Sequence, residues 1–251
     1  GQDLLRRFNA GGGTLYDLEY LVDETGRRVS AFGYWAGYAG AAVALKCWAA
    51  QKQGSIADTV GVYPGAAALQ AELKQELDNS QSPRPTAIVI GALGRVGSGA
   101  SDLCEAVGVN VTKWDMAETA SGGPFPEVLQ HDIFLNAILA QPGCPVFVPA
   151  DATTAEPKLT VIGDIAADPT GDFSPVKVYA RVTTWDEPAL RVQDTPPLDV
   201  TAIDNLPSML PVESSQDYAG QLLPSLLTLD ALDSGVWARA KSEFDKHSAA
   251  V

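Results

Sequence analysis

Closely spaced glycines lie between a strand-like segment and a helical pattern, an arrangement that can hold a phosphate group. The glycines are Gly91, Gly94, Gly97 and Gly99. The apolar run 87–90 precedes them, and apolar residues recur at helical spacing over 100–107. Glycine lets the backbone approach a pyrophosphate, and the free N–H groups at a helix start face its charge. The sequence therefore predicts a dinucleotide site, although the spacing differs from the commoner Gly-x-Gly-x-x-Gly.

A carboxylate follows the next strand-like segment. Residues 109–114 lead into Asp115, which comes 24 residues after Gly91. A carboxylate at this point can accept hydrogen bonds from the adenosine ribose hydroxyls and would repel a 2′-phosphate. NAD is therefore the expected cofactor rather than NADP. The alternative is a tight strand–helix turn followed by an aspartate in a polar loop.

Composition limits the kinds of partner. The chain has 251 residues, of which 46% are hydrophobic and 19% charged, enough for one large or two modest domains. The net charge of −14 argues against nucleic-acid or anionic-membrane partners. No apolar run suggests a membrane span, and neither end shows a targeting signal, so the cytoplasm is the expected compartment. A clipped peroxisomal signal is the alternative.

The cysteine and histidine pattern does not indicate a metal site or a disulfide. Cys47, Cys104 and Cys144 are widely spaced, with no Cys-x-x-Cys motif. Buried thiols in a reducing compartment are the expected state. His131 and His247 lie in polar stretches and are expected at the surface.

Periodicity and turn residues predict the elements that would position these groups. Strands are expected at 87–90, 109–114, 132–139, 145–148, 159–163, 176–182 and 200–203, with a hairpin over 11–32 that turns at 23–26. Helices are expected at 34–53, 66–77 and 234–247, an amphipathic stretch at 218–227, and loops at 79–85 and 194–198. Near-continuous apolar strands are typical of a parallel sheet covered on both faces.

Changes in character along the chain predict three stretches. Residues 1–83 are expected to be the end of a substrate or catalytic domain plus linking helices, and 84–205 an NAD-binding Rossmann domain. Residues 206–251 are too few for a domain and are expected to return and pack on the first stretch. The predicted fold class is α/β with a discontinuous first domain.

Ordered sequence blocks resemble one enzyme family. They are Gly26-Arg-Arg-Val-Ser-Ala-Phe-Gly33, Gly91-Ala-Leu-Gly-Arg-Val-Gly-Ser-Gly99, Lys113-Trp-Asp-Met-Ala-Glu-Thr119, Gly122-Gly-Pro-Phe125, Asp164-Ile-Ala-Ala-Asp168 and Asp204-Asn-Leu-Pro-Ser-Met-Leu-Pro211. Together they resemble the NAD-dependent, lysine-forming saccharopine dehydrogenases of the fungal type, over essentially the whole chain. The resemblance implies two Rossmann-like domains of the alanine dehydrogenase kind, with the active site in the cleft and the first domain incomplete.

The resemblance also implies the reaction. Saccharopine, NAD and water would give L-lysine, 2-oxoglutarate and NADH, reversibly, by hydride transfer and imine hydrolysis. The acid–base Lys and His of the family fall before residue 1, so this chain is expected to be the NAD-binding and partly substrate-binding portion. The missing segment, as a separate chain, is an expected partner. Glu19 matches a family carboxylate that modulates the acid–base groups.

Site residues follow from the resemblance, position by position. Cofactor contacts would be Arg27, Gly94, Arg95, Asp115, Thr119, Leu139, Ile165, Ile203, Asp204, Asn205 and Leu206. Substrate contacts would be Arg28, Phe32, Ala166, Ala167 and Asp168. Arg28 can offer a bidentate fork to a substrate carboxylate. Phe32 could pack on the aliphatic linker, and Asp168 could hold an ammonium group.

Other interpretations remain open at this stage. Arg27 and Arg28 beside a turn are also typical of solvated surface, and 168–171 is also typical of a plain turn. Leu139 stands where relatives often carry an aromatic residue, and Asn205 where some carry His. The alternative functions are a non-catalytic NAD-binding module and another alanine-dehydrogenase-like amino-acid dehydrogenase. No Tyr-x-x-x-Lys or Gly-x-Ser-x-Gly motif occurs, which argues against short-chain dehydrogenases and serine hydrolases.

Overall fold

The computed structural model describes residues 1–152 and 158–251. Its helices are α1 (Gln2–Gly11), α2 (Gly33–Lys52), α3 (Ala66–Asn79), α4 (Arg95–Ala106), α5 (Met116–Thr119), α6 (Pro126–Leu129), α7 (Pro211–Leu226) and α8 (Gly235–Ser248). Its strands are β1 (Thr86–Ile90), β2 (Asn110–Trp114), β3 (Ile133–Asn136), β4 (Val161–Asp164), β5 (Leu190–Asp194) and β6 (Pro197–Thr201). Short 3-10 turns span Leu18–Tyr20 and Leu206–Met209.

The chain divides into two units, which differ from the predicted stretches. One unit joins Gly1–Phe32 to Ser215–Val251, and the other is Gly33–Ser214. Helices α2 and α3 therefore lie with the sheet rather than with the N-terminal segment. The reason is visible in α2, where every residue from Gly37 to Ala49 is buried. A helix that is apolar on all sides must lie inside a core.

The larger unit contains a mostly parallel sheet with the strand order β2-β1-β3-β4-β6-β5. All neighbouring strands are parallel except β5 and β6, which form an antiparallel hairpin. The chain runs from β1 to β2 on one side and then returns to β3 on the other side of β1. This reversal is a topological switch point, the place where α/β sheets bind ligands.

Both faces of the sheet are covered by apolar residues. Val89 and Leu135 belong to the core formed with α2, α3 and α4. Ile88, Ile90 and Phe134 belong to a second core on the opposite face. Alternate strand residues point to opposite faces, so the near-continuous apolar runs in β1 and β3 satisfy both cores.

Helix α2 packs unusually closely on α4. A Cβ atom at Gly37 would lie 1.8 Å from the Val96 carbonyl oxygen, and one at Gly99 would lie 1.9 Å from the Tyr34 carbonyl oxygen. Only glycine fits at both points, because any side chain would overlap backbone. The buried helix α2 therefore supports the helix that begins at the glycine turn.

Several predicted elements are confirmed and others are wrong. The strands at 87–90 and 109–114 and the helices at 34–53, 66–77 and 234–247 are confirmed, with ends shifted by a few residues. The runs 145–148 and 176–182 are not strands; in the described ranges, Val148 and Val176 form a single isolated bridge. The predicted loop at 194–198 is instead the turn of the β5–β6 hairpin.

The smaller unit keeps the predicted turn but not the predicted strands. Asp23 Oδ1 accepts hydrogen bonds from the backbone N–H groups of Thr25 at 2.9 Å and Arg27 at 3.0 Å, as a turn-forming aspartate does. The hydrogen bond from the Thr25 hydroxyl is the main cause that holds the pKa of Asp23 below its ordinary value. The hairpin is reduced to one bridge between Val22 and Arg28. The helix α1 at Gln2–Gly11 was not predicted. No helix in the described part of the chain is long and apolar enough to cross a membrane.

Candidate functional site

The carboxyl ends of the parallel strands meet at one edge of the sheet. In register, Ile90 lies beside Trp114 and Asn136, Asn136 lies beside Asp164, and Gly163 lies beside Thr201. The loops that leave this edge are 91–94, 115–119, 137–139, 165–168 and 202–206. We call these loops together the carboxyl edge.

Every predicted site residue of the larger unit belongs to the carboxyl edge or directly adjoins it. These residues are Gly94, Arg95, Asp115, Thr119, Leu139, Ile165, Ala166, Ala167, Asp168, Ile203, Asp204, Asn205 and Leu206. They come from separate segments of the chain, and the parallel sheet brings those segments to the same side. The sequence alone gave their order but not this convergence.

The glycine turn after β1 is compact and depends on its glycines. Gly91 has φ +89°, and a Cβ atom there would lie 2.7 Å from Ile138 Cγ2. A Cβ atom at Gly97 would lie 2.1 Å from the Gly91 carbonyl oxygen. Gly94 is the N-cap of α4, with no side-chain cap, and the first turn of α4 has no acidic residue. The N–H groups and positive dipole end of α4 can therefore receive an anion.

Asp115 connects the loop after β2 to the glycine turn. Its Oδ2 accepts a hydrogen bond from the Leu93 N–H at 2.9 Å, and its Oδ1 accepts one from the Met116 N–H at 2.9 Å. Glu118 Oε2 accepts a hydrogen bond from the Asp115 N–H at 2.7 Å, which completes a capping box for α5. The carboxylate predicted from sequence thus lies against the glycine turn.

Three large apolar side chains at the carboxyl edge are left in solvent. Leu93, Met116 and Leu139 are 82%, 83% and 82% exposed. Isolated apolar residues at a surface need no explanation, but these three belong to three loops of the same edge. They provide apolar surface beside the polar glycine turn, a combination typical of ligand sites.

The loop after β6 presents two residues to solvent and buries two. Asp204 and Asn205 are exposed, whereas Ile203 and Leu206 are 3% and 5% exposed. Asn205 has φ +63°, and its N–H donates to Asp204 Oδ1 at 2.9 Å. Side-chain contact with a ligand is thus open to Asp204 and Asn205, while Ile203 and Leu206 can offer only backbone atoms.

The remaining predicted residues lie in the smaller unit. The Arg28 guanidinium donates to the Glu19 carboxylate. Phe32 stacks on Tyr218, with ring centroids 4.4 Å apart and planes 17° apart. Arg27 is exposed beside the Asp23 turn. Tyr218 was not predicted, although an aromatic residue in the amphipathic stretch 218–227 is a signal that could have found it.

The sequence also did not predict a cluster of three polar side chains, formed by Asp164, Asn136 and Tyr179. Asp164 Oδ1 accepts from Asn136 Nδ2 at 2.9 Å, and Oδ2 accepts from the Tyr179 hydroxyl at 2.7 Å. A polar residue directly after a buried strand is a signal for Asp164 and Asn136. No local signal marks Tyr179, which lies in a run that resembles a strand.

Comparison with curated proteins decides the family. The chain is 47% identical to a saccharopine dehydrogenase [NAD(+), L-lysine-forming] of Yarrowia lipolytica, over 98% of this chain and 70% of that protein. Proteins of the same name from Neurospora crassa and Candida albicans are 47% and 44% identical, over 100% and 99% of this chain. The chain belongs to the saccharopine dehydrogenase family. No family model matches the sequence.

A solved structure shows the fold of this saccharopine dehydrogenase family member. An L-alanine dehydrogenase superimposes with a TM-score of 0.58 over 91% of this chain and 63% of that chain. The two sequences are 17% identical, so the match concerns the fold alone. It confirms the expectation of an α/β, alanine dehydrogenase-like architecture with a mostly parallel sheet.

Proposed function

We propose that this chain binds NAD at the carboxyl edge and serves the reaction saccharopine + NAD + water to L-lysine + 2-oxoglutarate + NADH, in either direction. The observation that carries the proposal is the hydrogen bond from the Leu93 N–H to Asp115 at 2.9 Å, at the switch point of the sheet. It joins the glycine turn to a carboxylate in a member of the saccharopine dehydrogenase family. When bound, NAD supplies the hydride chemistry.

The phosphates fit the glycine turn. Because Gly97 has no side chain, the Gly91–Ala92 backbone packs directly on α4, and this compact turn would let a pyrophosphate approach the helix start closely. The Gly94 N–H donates to the Gly91 carbonyl oxygen at 3.1 Å, so Gly94 would contribute close backbone approach, and the N–H groups of the first turn of α4 would hold the phosphate oxygens. Arg95, the first residue of α4, would add a positive charge to the same group.

The adenosine ribose fits the loop after β2. Asp115 is half-buried, and its carboxylate would accept hydrogen bonds from the ribose hydroxyls. The Thr119 hydroxyl donates to the Asp115 carbonyl oxygen at 3.0 Å, which supports a role in shaping this loop. The negative charge of Asp115 would disfavour the 2′-phosphate of NADP.

Further cofactor contacts are proposed from the loops after β3, β4 and β6 and from the smaller unit. They are Arg27, Leu139, Ile165, Ile203, Asp204, Asn205 and Leu206. The exposure of Leu139 supports an apolar contact with a ring. The burial of Ile203 and Leu206 supports contacts through their backbone atoms.

Substrate contacts are proposed for Arg28, Phe32, Ala166, Ala167 and Asp168. Saccharopine carries carboxylates and a secondary amine, which suit a guanidinium and a carboxylate respectively. In the described structure Arg28 is paired with Glu19, so Glu19 would orient the guanidinium or give way to a substrate carboxylate. Exposed Ala166 and Asp168 lie on the loop after β4.

We propose different roles for different parts of the chain. Residues 84–205 of the larger unit would bind NAD, and the smaller unit, Gly1–Phe32 with Ser215–Val251, would belong to the substrate or catalytic part. The acid–base groups would come from a segment outside this chain, which we propose as a partner. The cytoplasm is the proposed compartment, and the three free cysteines support a reducing environment.

The test is nucleotide selectivity at Asp115. We expect Asp115→Ala to raise the Kd for NADH about tenfold or more, because hydrogen bonds to a charged group are lost. Asp115→Asn keeps an oxygen for the α5 cap but removes the charge, so it should bind NADPH more tightly than wild type does. Both are measured by nicotinamide fluorescence titration.

Asp194→Ala is the matched control, because Asp194 is an exposed aspartate in β5, at the opposite end of the sheet from β2. It should bind NADH as wild type does. Failure of the folded wild-type chain to bind NADH would contradict the proposal. Binding of NADH without saccharopine-dependent turnover, when the proposed partner segment is added, would favour a non-catalytic module.

A further inference from the structure

A buried carboxylate closes the base of the 165–168 loop. Asp164 is the last residue of β4 and is 2% exposed. Its carboxylate accepts from Asn136 Nδ2 at 2.9 Å and from the Tyr179 hydroxyl at 2.7 Å. The backbone N–H groups of Ala166 and Ala167 act on the same carboxyl and lower its pKa. Two side chains from other segments therefore bind this carboxylate, and the start of the loop faces it.

Burial and hydrogen bonding together favour one fixed arrangement of Asp164, Asn136 and Tyr179. Burial raises the pKa of the Asp164 carboxyl, while the hydrogen bonds from Tyr179, Asn136 and the loop oppose that rise. Burial and the nearby Asp164 charge raise the pKa of the Tyr179 phenol, so its hydroxyl stays a donor. A buried carboxylate is tolerated only when its oxygens are hydrogen-bonded, and here donors reach both oxygens.

The loop itself needs such support. Ala167 has φ +49°, a left-handed conformation that costs free energy for a residue with a Cβ atom. The Ala167 N–H also donates to the Asp164 carbonyl oxygen at 3.2 Å. Strained backbone persists only where its surroundings hold it. The Asp164 carboxylate at the base of the loop therefore helps to maintain the left-handed conformation of Ala167.

A purely space-filling role does not account for the residues present. The cluster lies beside an apolar core that contains Phe134, Ile162 and Val200, where apolar side chains would fill the volume. Asn136 is fully buried, and its Oδ1 has no hydrogen-bond partner among the described residues. The donor to Asp164 is therefore the interaction that offsets the cost of burying this amide.

We propose that Tyr179, Asp164 and Asn136 are positioning residues that hold the 165–168 loop in the conformation that receives the substrate. This inference rests on the proposed function, because Ala166, Ala167 and Asp168 are the proposed substrate contacts. The three residues act through the loop and are not catalytic residues. They determine how well the loop is prepared to bind saccharopine, whereas phosphate binding depends on the separate glycine turn.

The test uses Tyr179→Phe, which removes one hydroxyl and keeps the ring. The matched control is Tyr63→Phe, because the Tyr63 hydroxyl also donates to a carboxylate, Glu72 Oε1, at 2.5 Å, within the same unit. Titration calorimetry gives the Kd of NADH for each chain and the Kd of saccharopine for each NADH complex. Hydrogen–deuterium exchange reports the 165–168 amides without ligand.

We expect Tyr179→Phe to raise the saccharopine Kd about tenfold or more, since a hydrogen bond to a charged group is lost. The NADH Kd should rise no more than about threefold, because Ile165 is the one NAD contact proposed in this loop. Deuterium uptake at 165–168 should rise, and Tyr63→Phe should change none of these. The inference is overturned if Tyr179→Phe matches Tyr63→Phe, or weakens both ligands equally. If the wild-type chain binds no saccharopine, the proposed function fails. If deuterium uptake at 165–168 is unchanged in Tyr179→Phe, the positioning role is overturned separately.

Discussion

At the scale of single residues, backbone positions make the carboxyl edge able to receive a phosphate. Gly97 matters because its missing side chain leaves room for the Gly91 carbonyl oxygen. Asp115 matters because its carboxylate is fixed by the Leu93 and Met116 N–H groups. Residue type and spacing predicted a glycine turn after β1 and a carboxylate after β2, but not these contacts between them. Neither could predict Tyr179, because its partner Asp164 is 15 residues away and the two meet only in the folded chain.

Gly97→Ala should lower both stability and NADH affinity. The new Cβ atom would lie 2.1 Å from the Gly91 carbonyl oxygen and 2.5 Å from Ala92 Cα, so backbone must move. We expect a loss of about 1–3 kcal/mol in the free energy of unfolding, typical of overpacking. Urea unfolding measures the loss. Gly61→Ala, with nothing within 4 Å of its Cβ position, should stay within about 0.5 kcal/mol of wild type, and equal losses in the two variants would contradict the steric argument.

At the scale of elements, buried regular segments are predictable and irregular ones are not. The helix at 34–53 and the strand at 87–90 follow from patterns that agree with their final burial. The runs 145–148 and 176–182 also contain apolar residues at strand-like spacing, but Pro145, Pro149 and Pro175 lie in or beside them. Proline donates no backbone hydrogen bond and interrupts a ladder. β5 escaped prediction because it is only half-buried and pairs only with β6.

A charged cluster joins α2 to α3 in the same unit. Lys46, 9% exposed, donates to Glu72 Oε1 and Glu76 Oε1, each at 2.6 Å. Burial lowers the pKa of Lys46, but the hydrogen bonds to the two glutamates raise it by more than burial lowers it. The net pKa of Lys46 is therefore above its ordinary value. For Glu72, burial raises the pKa while the bonds from Lys46 and Tyr63 lower it more, so the net pKa lies below its ordinary 4.5.

The lowered pKa of Glu72 determines how the stability of the fold changes with pH. A carboxyl with a lowered pKa in the folded state stabilises the fold above its unfolded pKa, and this contribution is lost as pH falls through the folded pKa. We expect Lys46→Met to be about 1–2 kcal/mol less stable than wild type near neutral pH. The gap should shrink as pH falls below about 4. Urea unfolding at each pH measures it.

Lys74→Met is the control for that series, since Lys74 is an exposed lysine on the same helix α3. It should stay close to wild type at every pH. A gap between Lys46→Met and wild type that is constant from neutral to acid pH would show that the lysine contributes packing alone. That result would contradict the electrostatic account of the α2–α3 pair.

At the scale of the whole molecule, the larger unit contains every group proposed for NAD except Arg27, together with all three cysteines. Thiol reactivity therefore reports how the larger unit opens. Cys47 and Cys104 are fully buried and Cys144 is partly exposed. Burial raises the pKa of Cys47 and raises that of Cys104 to about 12, so both stay as unreactive thiols.

We expect one thiol per chain, Cys144, to react readily with a disulfide reagent under native conditions. The other two should react only as fast as the unit opens, and all three should react at once in denaturant. Absorbance of the released thiolate measures the count. Cys144→Ser should remove the fast phase, and a fast phase of two or more thiols in wild type would contradict the described packing.

The central claim is that NAD binds across the carboxyl edge, and hydrogen–deuterium exchange with and without NADH tests it most directly. NADH should slow exchange in the loops 91–94, 115–119 and 202–206, which leave the sheet on the same side. Exchange at the opposite ends of the strands, around Thr86 and Asp132, should be unchanged. Protection at those opposite ends, or no protection at the glycine turn when NADH is bound, would contradict the account.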